Sequence, residues 1–197
     1  MKKLLIATNN QGKVKEIKAI FKDVYDDVIS LKDAGIELNT IEDGDTFEAN
    51  AHKKAKEGFE ASGMDTLADD SGLCVDYLNG APGIYSARFA GEDATDADNN
   101  KKLAHLMDGV PDEQRAARFV CTMCLIQTDG KEIAVRGEFE GKIAKKPIGT
   151  NGFGYDPYFF VPEYNKNLAE LPPEIKNKIS HRSTALSALK DRLLENK

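Results

Sequence analysis

Residues 118–144 constrain the fold most, because one strand pattern there is apolar on both of its faces and a second follows across Asp129-Gly130. Residues 119–127, FVCTMCLIQ, carry apolar side chains at odd and even positions alike, so neither face can be left to water. A strand covered twice is a central strand. Asp-Gly flanked by such runs is a hairpin signal, and it predicts that residues 132–139 return beside 119–127. The run also contains Cys121 and Cys124, which match C-x-x-C. On a strand, positions three apart point to opposite faces, no turn residue separates the two, and no second pair completes a zinc site. Both are therefore expected to be buried reduced thiols.

The chain has 197 residues, 41% hydrophobic and 30% charged, which suits one domain spanning 1–197 with a substantial core. A net charge of −6 opposes a protein that grips a nucleic-acid backbone, so any anionic ligand must be met by a local basic cluster. The apolar run at residues 4–7 is too short for a signal peptide, and no stretch is long and apolar enough to span a membrane. Three cysteines leave an odd one over, which fits a reducing cytoplasm better than a disulfide framework.

Residues 67–75, LADDSGLCV, press two carboxylates, a hydroxyl and a glycine against apolar sequence. Buried carboxylates need partners that offset their desolvation, and a divalent metal is one. Residues 66–68 read as the end of a short strand, with Asp69 and Asp70 at the edge where α/β sheets bind ligands and Ser71-Gly72 as a turn. Because strand residues alternate, only one aspartate faces a given site, and Asp70 is the choice for metal and chemistry. Residues 73–78 read as a further strand.

Residues 3–8 form a strand, and Val14, Ile17, Ile20 and Phe21 recur at helical spacing after it. The loop between them, Thr8, Asn9, Asn10, Gln11, Gly12 and Lys13, leads into helix amides that bind anions, and Lys13 adds a full charge. It is not a Walker A loop, and Thr8 as a simple helix cap is the competing reading. Residues 28–31 are a second strand, followed by an acidic linker with Glu42, Asp43 and Asp45. A helix then carries Phe47, Ala51, Ala55 and Phe59 on one face, with Glu48, Asn50, Lys53 and Lys54 elsewhere and mostly solvated. Residues 94–107 read as a polar helix with Leu103, Leu106 and Met107 inward.

Residues 150–157, TNGFGYDP, break the strand pattern with two glycines and two exposed-looking aromatics. Glycine admits a ligand close to the backbone, and an aromatic face stacks on a nucleobase for roughly 1–3 kcal/mol. The alternative is a glycine-rich turn whose aromatics fold inward. Residues 158–161 resume as strand, and 173–178 and 180–194 read as helices. His181 and Arg182 open the second helix, an end where the macrodipole disfavours cations, so an anionic or carbonyl-bearing partner is expected there.

These pieces together resemble the inosine triphosphate pyrophosphatase family. The motifs are Thr8-x-Asn10-x-x-Lys13-x-x-Glu16, Ala68-Asp-Asp-Ser-Gly-Leu73, Gly80-Ala-Pro-Gly-Ile-Tyr-Ser-Ala-Arg88, Gly152-Phe-Gly-Tyr-Asp-Pro157 and Ser180-His-Arg-x-x-Ala185. They span nearly the whole chain in the family's order. The resemblance implies an α/β fold, a long twisted mixed sheet flanked by helices, with two lobes and a central active-site cleft. It further implies a Mg²⁺-dependent homodimer that hydrolyses non-standard purine nucleoside triphosphates (ITP, dITP, XTP) to monophosphate and pyrophosphate. Carried onto this chain, Asp70 matches the catalytic and metal-associated position and Glu42 a second metal carboxylate. Ser71 and the Thr8–Lys13 loop match phosphate binders, while Phe153, Gly154, Tyr155, Asp156, Lys176, His181 and Arg182 match nucleotide binders. The family commonly shows Glu-Asn-Ala in the helix after the acidic linker, where this chain has Ala49-Asn50-Ala51 with Glu48 one place earlier, so Glu48 rivals Glu42.

The chemistry asks for the same parts. Cleaving the α–β bond needs water aimed at the α-phosphorus, a base for its proton, and positive charge on the leaving pyrophosphate, for which Lys13, Lys54 and Arg88 are candidates. A donor aimed at the 6-oxo group of hypoxanthine or xanthine rejects adenine, and His181, Arg182 or amides near Tyr155 suit that task, with Phe153 stacking on the ring. Two rivals are a Maf-like pyrophosphatase and a nucleotide-binding regulator without catalysis. The first is opposed by the glycine-aromatic and Ser-His-Arg motifs, the second by intact Asp70 and Lys13.

Overall fold

A computed structural model describes residues 2–195. Seven strands form one mixed sheet in the order β2-β1-β3-β4-β5-β6-β7. They are β1 Lys3–Ile6, β2 Asp27–Ser30, β3 Asp65–Val75, β4 Ala116–Ile126, β5 Glu132–Ile143, β6 Phe159–Val161 and β7 Lys166–Asn167. Strand β1 pairs in parallel with β2 and β3, whereas β5, β6 and β7 are antiparallel neighbours. Six helices accompany them: α1 Gln11–Phe21, α2 Leu31–Ala34, α3 Phe47–Ser62, α4 Asp96–Leu106, α5 Pro173–Ile179 and α6 His181–Glu195. The expected hairpin closes as read, with Gln127 N–H donating to Lys131 O at 2.8 Å and Gly130 N–H to Gln127 O at 2.9 Å.

The chain divides into two compact units. The first holds residues 1–70, 121–137 and 184–197. Its two apolar clusters are set by strand alternation. Leu67, Cys121, Met123 and Leu125 share one cluster with Val14, Ile17 and Phe21 of α1 and Ala185, Leu186, Leu189 and Leu193 of α6. Ala68, Cys124 and Ile126 share the other with Ala51 and Ala55 of α3. Helix α3 comes close to its strands because Gly58 has no side chain; a Cβ there would stand 2.8 Å from Thr66 Cγ2. Cys121 and Cys124 thus lie in different clusters on opposite faces, as free thiols. Burial pushes the Cys124 thiol up to about 11, with Glu132 adding to it, so neither redox nor metal chemistry is served by this pair.

The second unit holds residues 71–120 and 138–183. Its core gathers Leu73, Val75, Leu103, Met107, Phe119, Ile143, Tyr155, Phe159 and Leu168. Leu106, expected inside, is exposed, because Leu103 and Met107 already fill the inward side of α4. Buried Arg115 binds this unit's loops by donating to Met107 O, Val110 O, Ile143 O and Ala144 O.

Two expectations about the strands fail. Residues 69–72 are not a turn after a short strand; β3 runs unbroken for 11 residues through Asp-Asp-Ser-Gly to Val75, so the separate strand expected over 73–78 is absorbed as far as Val75 and residues 76–78 form a 3₁₀ turn instead. Sheet pairing and burial override the turn preference of Ser-Gly, and the Ser86 hydroxyl accepts Leu73 N–H at 2.9 Å. Leu31, read as the end of the second strand, instead begins α2, because Ser30 caps it and Asp33 completes a capping box.

Candidate active site

Unbroken pairing through β3 makes the two aspartates point oppositely, as a pleat requires. Asp69 shares its face with Leu67, toward α1, and Asp70 shares its face with Ala68, toward α3. Each meets a different lysine.

Asp70 is 6% exposed. Its Oδ2 accepts from Asn50 Nδ2 at 3.1 Å, and its Oδ1 lies 3.4 Å from Lys54 Nζ. The same ammonium is 2.6 Å from Glu42 Oε1. Asn50 and Lys54 stand four apart, so α3 aims both at the strand. Asn50 also fastens the acidic linker, its Oδ1 accepting Gly44 N–H at 2.8 Å; a Cβ on Gly44 would come within 2.7 Å of that oxygen. Burial holds the Asp70 carboxyl above the usual carboxylate range, Lys54 pulls it down, and Glu42 and Asp69 push it further up. Of the rival glutamates, Glu42 belongs to this cluster. Glu48 Oε1 instead takes Thr122 Oγ1 at 3.1 Å and Arg136 at 2.9 Å. Asn50, expected away from the apolar face, is fully buried, and Lys54, one of the charges expected to be mostly solvated, is 15% exposed at its side chain.

Two carboxylates bridged by one cation are a donor set of the hard-oxygen kind. Mg²⁺ takes such ligands, usually one or two carboxylates completed by water and substrate phosphates, so Asp70 and Glu42 fit it. Among the described residues no group of three His, Cys, Asp or Glu side chains forms a protein-only cage, which that mode of binding does not need.

On the other face, Lys13 Nζ lies 2.6 Å from Asp69 Oδ2. The cap of α1 is Asn10 and not Thr8: Asn10 Oδ1 accepts from Gly12 N at 2.9 Å and Lys13 N at 3.2 Å, while Thr8 Oγ1 accepts Asn10 N–H at 3.3 Å. Gln11 Nε2 reaches Asn9 O at 3.4 Å. The loop is therefore preorganised, with two helix amides already satisfied and the Lys13 ammonium as its charged donor.

In the second unit, the loop at residues 149–156 is folded on Asp156. Its Oδ2 accepts Phe153 N–H at 3.0 Å and pairs with Lys176 Nζ. That ammonium also sits 4.6 Å from the Phe153 ring centre. Gly152 is obligatory here, with φ of 81° and a Cβ position 2.0 Å from Asp156 Oδ2. Helix α4 grips the next glycine from both sides: Gly154 N–H donates to Asp96 Oδ2 and Gly154 O accepts from Asn100 Nδ2, each at 2.7 Å. Phe153 is 57% exposed, but Tyr155, which looked exposed in sequence, is buried and donates its hydroxyl to Ser86 O at 2.7 Å. Its ring belongs to the core, so only its backbone remains to meet a ligand.

His181 and Arg182 open α6 and are 8% and 5% exposed. His181 stacks on Phe119, 5.1 Å between centres and 17° between planes. The anionic partner expected at this helix end has an internal candidate in Asp156. Burial raises its carboxyl pKa, and the charges of Lys176 and Arg182 oppose that rise. Ser71 is half-buried on β3. Arg88, a candidate for the leaving group, lies 3.7 Å from Glu92 in the second unit. Asp69, Asn50, Asp96 and Asn100 were missed as supporting residues. The available signal was a fully polar Asn50 among the apolar positions of α3.

Residues 4–192 match the model of the Ham1 family. A Clostridium perfringens protein named dITP/XTP pyrophosphatase is 50% identical over 199 residues, covering 98% of each chain. The structure of the Staphylococcus aureus Ham1 protein superposes with a TM-score of 0.92 at 41% identity, covering 100% of both chains. That of a HAM1 protein from Coxiella burnetii gives 0.91 at 38% identity, over 99% of this chain and 100% of the other.

Proposed function

The chain belongs to the Ham1 family, and from that premise we propose that it hydrolyses dITP, XTP and ITP to the monophosphate and pyrophosphate. The observation that carries this reading is the pairing of buried Asp70 with half-buried Glu42 through Lys54. Asp70, buried and oriented by the Asn50 amide, is placed to take the proton of an attacking water that a bound metal would make more acidic, so it is assigned as the base. Asp70 and Glu42 would hold Mg²⁺, which would neutralise phosphate charge and acidify water. Lys13, held by Asp69, meets the phosphate chain with the Thr8–Gly12 loop and Ser71. This counters the charge that develops on pyrophosphate as it leaves.

Base recognition falls to the second unit. Phe153 offers an open ring face for stacking, and Lys176 and Asp156 hold the loop that presents it. Arg182 or His181 donates to the 6-oxo group, an acceptor that adenine replaces with an amino donor. The whole chain is proposed to act as one functional domain, in a homodimer. Three free thiols and a substrate drawn from the nucleotide pool support a cytoplasmic location. Among the described residues no helix is long and apolar enough to cross a membrane.

A nucleotide panel with Mg²⁺, analysed for both phosphorus products, tests the assignment. Pyrophosphate from dITP, ITP and XTP is expected, with dATP and ATP much poorer. Steady release of orthophosphate with a nucleoside diphosphate left behind would overturn it.

A further inference from the structure

Lys54 rises from the middle of α3 to touch both carboxylates of the first unit, 2.6 Å from Glu42 and 3.4 Å from Asp70. A lysine ammonium is protonated at neutral pH, and two carboxylates within 3.4 Å favour that form. The side chain is therefore cationic wherever nucleotides are handled. The two groups that fit a divalent cation already share a monovalent one.

Resting on the reading of this cluster as the metal end of the enzyme, we propose that Lys54 is a built-in counter-cation. It holds Glu42 and Asp70 together in the nucleotide-free protein, weakens Mg²⁺ binding there, and turns to the phosphate chain when a nucleotide arrives. The charges of the three side chains decide the order of events. Together they leave the cluster singly negative, which repels a triphosphate entering alone. A metal ion entering alone meets an ammonium within a few ångströms of both of its ligands, where like charges interact strongly because water is scarce. When both enter, Lys54 gains phosphate oxygens as partners and releases the carboxylates. Metal and nucleotide thus improve each other's binding, and by the same factor in each direction. Asn50 keeps the geometry through the exchange, since its two bonds tie the acidic linker to β3 without using Lys54.

Calorimetric titration of Mg²⁺ into the full-length protein, first alone and then with α,β-imido-dITP, reads this directly. Lys54→Met is expected to bind Mg²⁺ alone about tenfold or more tightly than wild type, and the analogue should improve its metal affinity by a smaller factor than in wild type. Lys54→Arg, which keeps the charge, should stay weak. Lys54→Gln repeats the neutral test should Lys54→Met melt abnormally. Neutral variants that bind Mg²⁺ alone no better than wild type, or Lys54→Arg binding as tightly as they do, would overturn the proposal. The metal-only arm contains no nucleotide, so an error in the substrate assignment would show as missing coupling in wild type and leave the metal-only comparison standing.

Discussion

Asp69 and Asp70 differ by one position and therefore by one face of a sheet, which gives them different lysine partners. On the proposed assignment, Asp70→Asn removes both the base and one of the two carboxylates that would hold the metal, while keeping the side chain's shape. Its kcat is expected to fall about 10²- to 10⁴-fold with an unchanged circular dichroism spectrum, and a near-normal kcat would move the chemistry elsewhere. Arg182→Ala tests base reading. If its guanidinium donates to the 6-oxo group, kcat/KM for ITP falls about ten- to a hundredfold more than for ATP, which never made that bond. Similar losses for both would assign Arg182 to the phosphates or to holding Asp156. That Asp70 is a buried carboxylate in need of a partner and that Phe153 is exposed were legible, because charge beside a core, or an aromatic between glycines, is anomalous in one dimension. Tyr155 was not. Gly152 and Gly154 both have positive φ, and the loop they make exposes Phe153 while Tyr155 reaches into the core, an outcome composition does not encode. Asn50 was hidden for a related reason, since its partners Gly44 and Asp70 come from two other segments.

At the scale of elements, five of the six α-helices and the hairpin followed from apolar periodicity and turn chemistry, each a local signal, whereas α2 was hidden because its capping residue Ser30 ends a strand. The continuous β3 did not, because Ser71-Gly72 prefers a turn until neighbouring strands pair with it. The start of that strand illustrates how a buried charge is accommodated. Asp65, 2% exposed, would have its pKa raised by burial, but Thr128 N–H at 2.8 Å, Thr128 Oγ1 at 3.0 Å and Tyr25 Oη at 3.0 Å donate to it and hold it below its ordinary value. A depressed carboxylate stabilises the fold at pH above its unfolded pKa, near 3.9, and this contribution is lost as pH falls through the lower native value. Asp65→Asn should therefore lower Tm at pH 7, with the gap closing below about pH 4. Melts from pH 3 to 8 check this, and a gap of constant size would show that the carboxylate's charge is not what stabilises β3.

For the whole molecule, the mixed α/β sheet was legible from strand and helix patterns together with five motifs in order, and it matches the Staphylococcus aureus Ham1 structure at a TM-score of 0.92. The division into two compact units was not read from the sequence as a boundary, because β3, β4 and β5 each contribute residues to both. A cut through the middle of a strand leaves no glycine or proline mark. The assignment of roles to the units rests on one chemical event, attack of water on the α-phosphorus with Asp70 as base. Turnover of dITP in H₂¹⁸O, with mass analysis of both products, tests that event most directly. The account predicts one ¹⁸O in the nucleoside monophosphate and none in pyrophosphate; label in pyrophosphate would place the attack at the β-phosphorus and contradict it.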